Sequence, residues 1–257
     1  MSASGGSEST PELPSFLDFV SIEPLPQFLG LTKHELVPII MSAMIIVFLG
    51  IFSIIATRRL QKVPGRLQSL LEIIVEGLGN FVKSQMGRVA GSFTPFIGTL
   101  FIYIFVMNMM GQIPLFHSPT SNFNTTIALT LIVFFVTQYQ GLKNNGVIGY
   151  FKHMVGEPIW LAPLLFPLHL MQEFLARPLS LSMRLFGNIL GEDTVLAIFI
   201  GFSPFLLGFI PIPVHLPMVF LALLCSTIQA MIFSLLASFY IAGAVGVYEE
   251  EEEHHSK

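Results

Sequence analysis

Two long stretches without any Asp, Glu, Lys or Arg constrain this chain more than any other feature. One lies between Arg88 and Lys143 and the other between Asp193 and Glu249. Each has room for two apolar helices of about 20 residues, the length that crosses the hydrocarbon core of a bilayer, with a turn between them. Composition agrees: 11% of the 257 residues are charged, against the roughly 25% usual in soluble domains. The chain reads as an all-α polytopic integral membrane protein, with about five membrane helices and one amphipathic interfacial helix.

The expected elements follow from where apolar runs meet charges and turn residues. Leu36 to Thr57 is a first span, closed by the basic loop Arg58, Arg59, Lys62 and Arg66. Basic loops stay on the cytoplasmic side, which places the N-terminus outside. Leu67 to Gly91 mixes apolar residues with Glu72, Glu76, Lys83 and Arg88 and reads as the interfacial helix. Thr94 to Met110 is the second span, and Thr125 to Gln140 returns inward to Lys143 and Lys152. The turn between them, Ser118 to Asn124, carries no basic residue, as an outer loop should. Two longer apolar segments follow, about Ile159 to Ile200 and about His215 to Val247, each exceeding a perpendicular span and therefore expected to be steeply tilted or to extend beyond the lipid.

The organisation is thus an extracytoplasmic lead-in over residues 1–34, a membrane domain over 35–248 and an acidic cytoplasmic tail over 249–257. The lead-in lacks a basic region before an apolar core, so it reads as neither a cleaved signal nor a transit peptide. The net charge of −4 comes largely from the Glu249 to Glu253 run, a solvated tail, and does not point to nucleic acid as a partner. Cys225, the one cysteine, excludes a disulfide framework and a cysteine zinc site. Its apolar neighbours suggest an inert buried thiol. No cofactor is expected.

Inside the penultimate apolar segment lies Arg184. A guanidinium stays charged at physiological pH and costs roughly 2.5–3.5 kcal/mol at membrane depth on insertion scales. His169, Glu173, Arg177, Ser180, Arg184 and Asn188 follow one another at spacings of three or four residues, so they share one face of a helix. Lipid cannot solvate such a stripe, so it must meet protein or water. Glu173 and Arg177 read first as a structural i,i+4 ion pair. Arg184 has no acid three or four residues away on either side. Glu192 continues its line, whereas Asp193 points roughly 180° away. On the last helix Gln229 is the main polar residue, which a simple interhelical amide bridge would also explain. His215 and His117, near outer ends, together suit an aqueous entry.

The run from Arg177 to Asn188, Arg-Pro-Leu-Ser-Leu-Ser-Met-Arg-Leu-Phe-Gly-Asn, resembles subunit a of F-type ATP synthases. Asn108 to Pro114, Pro119 to Leu129 and Gln229 to Phe233 support the resemblance, whose order and spacing cover roughly residues 35–247. It implies a stator subunit without catalytic activity of its own, forming two offset half-channels against a rotating c-subunit ring, with Arg184 as the essential arginine that separates them. It implies Asn188 as the neighbouring asparagine and Gln229 as the glutamine facing that arginine. Asp193 falls where the family has Glu or His for the outer half-channel, with Glu192 beside it as a second candidate. The implied partners are the c-ring with its lipid-buried carboxylate, peripheral-stalk b subunits, the bilayer and translocated H⁺, with Na⁺ left open. The implied location is a bacterial inner membrane.

Three positions depart from the family pattern. Ala222 stands where His or Glu is common, seven residues before Gln229. Leu170 stands where an acid usually precedes the arginine, leaving Glu173 or His169 to substitute, and Asn122 replaces a frequent Asp. A rival class is an anion-binding secondary transporter or channel. Its mark is an internal repeat with paired interrupted helices, and the Arg184 segment has no counterpart in the first half.

Overall fold

The computed structural model describes residues 33–58, 65–113, 116, 118–155, 162–206 and 215–245, and among these every regular element is helical. The helices are α1 (Lys33–Thr57), α2 (Arg66–Met86), α3 (Ala90–Met110), α4 (Phe123–Val155), α5 (Ala162–Met171), α6 (Arg177–Leu206) and α7 (His215–Val245). A π-helical turn, Gln172–Ala176, joins α5 to α6. Arg59, Lys62, His117, the connection around Pro211, most of the lead-in and the acidic tail lie outside the described residues.

Val37–Thr57, Ala90–Met110, Phe123–Gly146 and Val219–Val245 are long and apolar enough to cross a membrane. The α5–α6 rod is a fifth long helical element, and the charges at Glu173, Arg177, Arg184, Glu192 and Asp193 lower its hydropathy. α6 and α7 have 30 and 31 residues. At 1.5 Å per residue each is about 45 Å long, beyond a hydrocarbon core of about 30 Å, a length met by tilt or by extension past the lipid.

The core lies where α7 packs against α2, α3, α4 and α6. Ile97, Ile104 and Met107 of α3 meet Phe233, Ala237 and Ile241 of α7, all fully buried, with Leu185 of α6 joining the same cluster. α2 contributes Val82 and Met86 to this core while Leu70, Ile73 and Val75 stay exposed, so the amphipathic helix is anchored on the bundle by one end. Its reversal into α3 depends on Gly87, at φ 53°, a left-handed conformation that favours glycine. α1 is the least buried span, with Ile46, Val47, Phe48, Ile54 and Ile55 exposed.

Two breaks shape the site. Pro178 has no N–H to give the preceding turn and its ring crowds the carbonyl of Phe174, which accounts for the π-turn immediately before it. α4 breaks at Gly146, at φ 68° and ψ 166°. Past that break the chain bends so that the Tyr150 ring lies against Gly141, 3.0 Å from where a Cβ would stand. Asn145 Nδ2 donates to the Ala244 carbonyl at 3.1 Å, tying the bend to the last turn of α7.

Candidate functional site

Two contacts set the register of the antiparallel pair α6 and α7. Asn188 Nδ2 donates to Gln229 Oε1, and the Arg177 guanidinium lies over the Tyr240 ring, 5.1 Å from its centre. Arg184 falls between them, at the level of Phe233. Phe233 is fully buried, whereas Arg184 is exposed and forms no ion pair among the described residues. Ser180 and Asn188 of its own stripe are exposed with it, and to the side Leu179, Met183 and Leu190 of α6 and Leu224, Ile228 and Met231 of α7 are exposed as well. One permanent cation therefore sits on an open surface bordered by apolar side chains.

Between the C-terminal half of α6 and the N-terminal half of α7, a cleft of about 310 Å³ is lined by Asn188, Glu192, Ala222, Cys225 and Gln229, among others. Gln229 is 1% exposed, and its Nε2 has no hydrogen-bond partner among the described residues, leaving a buried donor in the cleft wall. Ala222 lines the same space, so its lack of a polar side chain leaves volume where a larger one would stand. Glu192 accepts a hydrogen bond from Gln112 Nε2, just past the end of α3.

Gln112 owes its position to a buried polar turn. Thr120 Oγ1 donates to Asn108 Oδ1 at 2.8 Å, and Ser118 Oγ donates to the Met107 carbonyl at 3.1 Å. Gly111 permits this closeness, since a Cβ there would meet Ser118 Cβ at 2.9 Å. The 3₁₀ turn Pro119–Ser121 thus seats against the end of α3 and carries α4 back down.

A second polar group lies toward the other end of α6. Glu173 and Arg177 form an ion pair, as the i,i+4 spacing predicts. Gln138 Nε2 of α4 donates to Glu173 Oε1 at 3.4 Å, and the Tyr150 hydroxyl donates to Gln138 Oε1. Burial, reinforced by the negative charge of Glu173, raises the Tyr150 hydroxyl above its ordinary value of 10, so it remains the donor at neutral pH. A cavity of about 10 Å³, near the lower limit for one water, opens beside Thr130, Thr137, Glu173 and Arg177. By helix rise, Glu192 stands about 12 Å above Arg184 and Glu173 about 16 Å below it. The polar stripe therefore comprises two partnered ends around one unpartnered cation.

The remaining expected residues fall around this frame. His169 is half-buried in α5, one helical turn before Glu173, and His215 is the first residue of α7. Asp193 is half-buried but does not line the cleft, consistent with its opposite bearing on the helix. Cys225 corrects an expectation: it is exposed at the cleft, not buried. In a membrane helix, apolar neighbours identify an outward surface as readily as a core. Gln112, Gln138, Tyr150 and Tyr240 escaped the sequence reading because each comes from another element, and a stripe on one helix does not reveal what faces it.

Comparison with known proteins adds the lineage. The ATP synthase A chain family model matches residues 38–242. ATP synthase subunit a of Trichlorobacter lovleyi is 41% identical over 239 residues, covering 93% of this chain and 97% of that protein. The subunit a of Geotalea daltonii is 42% identical over 228 residues, covering 85% and 96%. That of Protochlamydia amoebophila is 36% identical over 257 residues, covering 95% and 92%.

Proposed function

Because this chain belongs to the ATP synthase A chain family, we propose that it is the stator of the membrane motor, with Arg184 separating two half-channels against a rotor. The observation that carries the reading is the exposed, unpaired Arg184 on a face of α6 and α7 bordered by apolar side chains. A fixed cation on such a face calls for a counter-charge from another molecule. A ring of subunits, each with a lipid-buried carboxylate, supplies one at a time.

The physics of that exchange is asymmetric. A carboxylate facing lipid is neutral, because desolvation disfavours its charged form; beside Arg184 it ionises. An ion arriving through the outer cleft, past Glu192, Asn188 and Gln229, neutralises the rotor acid, which then moves into lipid. After a near-complete turn the acid approaches Arg184 from the other side and releases its ion toward Glu173 and the cytoplasm. Each elementary charge crossing yields about 2.3 kcal/mol per 100 mV, so several must pass for each ATP made.

A cross-linking experiment tests the rotor-facing surface. With Cys225→Ser as background, Ile228→Cys and Met231→Cys should form disulfides with cysteines placed beside the rotor carboxylate, while Ile54→Cys on α1 should not. All three positions are exposed, so accessibility does not distinguish them. Cross-linking at Ile54 in place of Ile228 and Met231 would move the rotor to a different face.

Orientation is tested separately. We propose a bacterial inner-membrane location with the N-terminus outside and the acidic tail in the cytoplasm, from the basic loops. Thr120 is fully buried and bonded to Asn108, so Asn124, which is exposed, is the better outer-loop probe. In the Cys225→Ser background, Asn124→Cys should react with an impermeant thiol reagent only from outside and Asn144→Cys only from the cytoplasm. The reverse pattern would exchange the two half-channels.

A further inference from the structure

The bend at Gly146 is fixed by a contact on either side of it. The Asn145 amide bonds to the Ala244 carbonyl at the end of α7, and the bare Gly141 admits the Tyr150 ring. Together they bring a residue from after the break back to Gln138, within the span. Gln138 is an amide with a donor end and an acceptor end, and nothing in its own shape decides which faces Glu173. The Glu173 carboxylate decides it, because it can only accept. Nε2 therefore faces the carboxylate, since the opposite orientation would set an oxygen against a negative charge, and the Tyr150 hydroxyl holds the amide there by donating to the Oε1 left on the other side.

We propose that Tyr150 is a positioning residue of the cytoplasmic ion path, acting through the Gln138 amide to orient Glu173 in its pair with Arg177. Arg177 is itself fixed over Tyr240, so the carboxylate is held from two sides by groups on α4 and α7. The adjoining cavity has room for about one water, so an ion leaving the rotor meets an oriented acid and not a wide aqueous pore. The inference rests on the reading of Glu173 as a member of that path.

The test uses the assembled ATP synthase in inverted membrane vesicles, with passive proton conduction measured after the soluble head is stripped off. Conduction is normalised to the amount of this subunit in the membrane. Tyr150→Phe keeps the ring against Gly141 and removes the donor, whereas Tyr150→Ala removes both. If the ring only fills space, Phe restores conduction. If the hydroxyl orients Gln138, Phe lowers conduction roughly threefold to tenfold, the range expected for one hydrogen bond acting on the rate. Glu173→Gln supplies the reference, and Tyr150→Phe should cause no further loss in that background. Wild-type conduction by Tyr150→Phe, or a loss that adds fully to that of Glu173→Gln, overturns the positioning role while leaving Glu173 in the path. Wild-type conduction by Glu173→Gln removes Glu173 from the path, and the role of Tyr150 falls with it.

Discussion

Replacing Arg184 by Ala should abolish ATP-driven acidification of inverted vesicles while the detached catalytic head hydrolyses ATP at the wild-type rate. No ion pair within the described residues engages Arg184, so its removal strands no acid among them. What disappears is the charge available to a rotor carboxylate. Two unit charges 4 Å apart interact by about 4 kcal/mol at an effective dielectric constant of 20, roughly a thousandfold in an ionisation equilibrium. Without that term a rotor acid passing this face has little reason to release its ion, and nothing keeps ions in the two half-channels apart. Arg184→Lys should also be poor, since an ammonium lacks the planar fork and loses its proton more readily when desolvated. Fluorescence-quenching assays of pumping, with head activity measured after release, separate this failure from a failure of assembly. Normal pumping by Arg184→Ala would falsify the assigned role.

The fold was legible to the extent that lipid imposes it. Charge-free runs mark spans because an unpaired charge in hydrocarbon is costly, and α1, α3, α4 and α7 fall where those runs stand. The site was half legible for the same reason. A periodic stripe on one helix shows that Glu173, Arg177, Arg184 and Asn188 share a face, and that Arg184 lacks a helical neighbour of opposite charge. It does not show which side of that face meets a partner within the chain. The distinction lies in the α6–α7 register, set by Asn188 with Gln229 and by Arg177 with Tyr240. Nor does hydropathy distinguish a surface turned to lipid or a rotor from a packed core, which is why Cys225 read as buried. The Gly146 bend was also hidden: its turn residues are ordinary at the end of a span, and the return of Tyr150 to Gln138 depends on the bare backbone of Gly141.

The cleft geometry favours Glu192 over Asp193 for the proposed outer path. Glu192→Gln should lower proton pumping far more than Asp193→Asn, and the double variant should come close to abolishing it. Glu192 lines the cleft with Asn188 and Gln229 and accepts a bond from Gln112, whereas Asp193 points away from that cleft. Ala222, opposite on α7, has no ionisable group, and Glu192 is the carboxylic acid among the residues lining this space. Glutamine in its place keeps the length of the side chain and a carbonyl oxygen for Gln112, so the change removes a proton carrier with little disturbance of packing. Passive conduction through head-stripped membranes is the direct measure, because it bypasses catalysis. If Asp193→Asn stops conduction while Glu192→Gln conducts normally, ions reach Arg184 along the opposite face of α6. In that case the cleft is a packing defect left by Ala222, and the buried Nε2 of Gln229 serves the helix pair, not an ion.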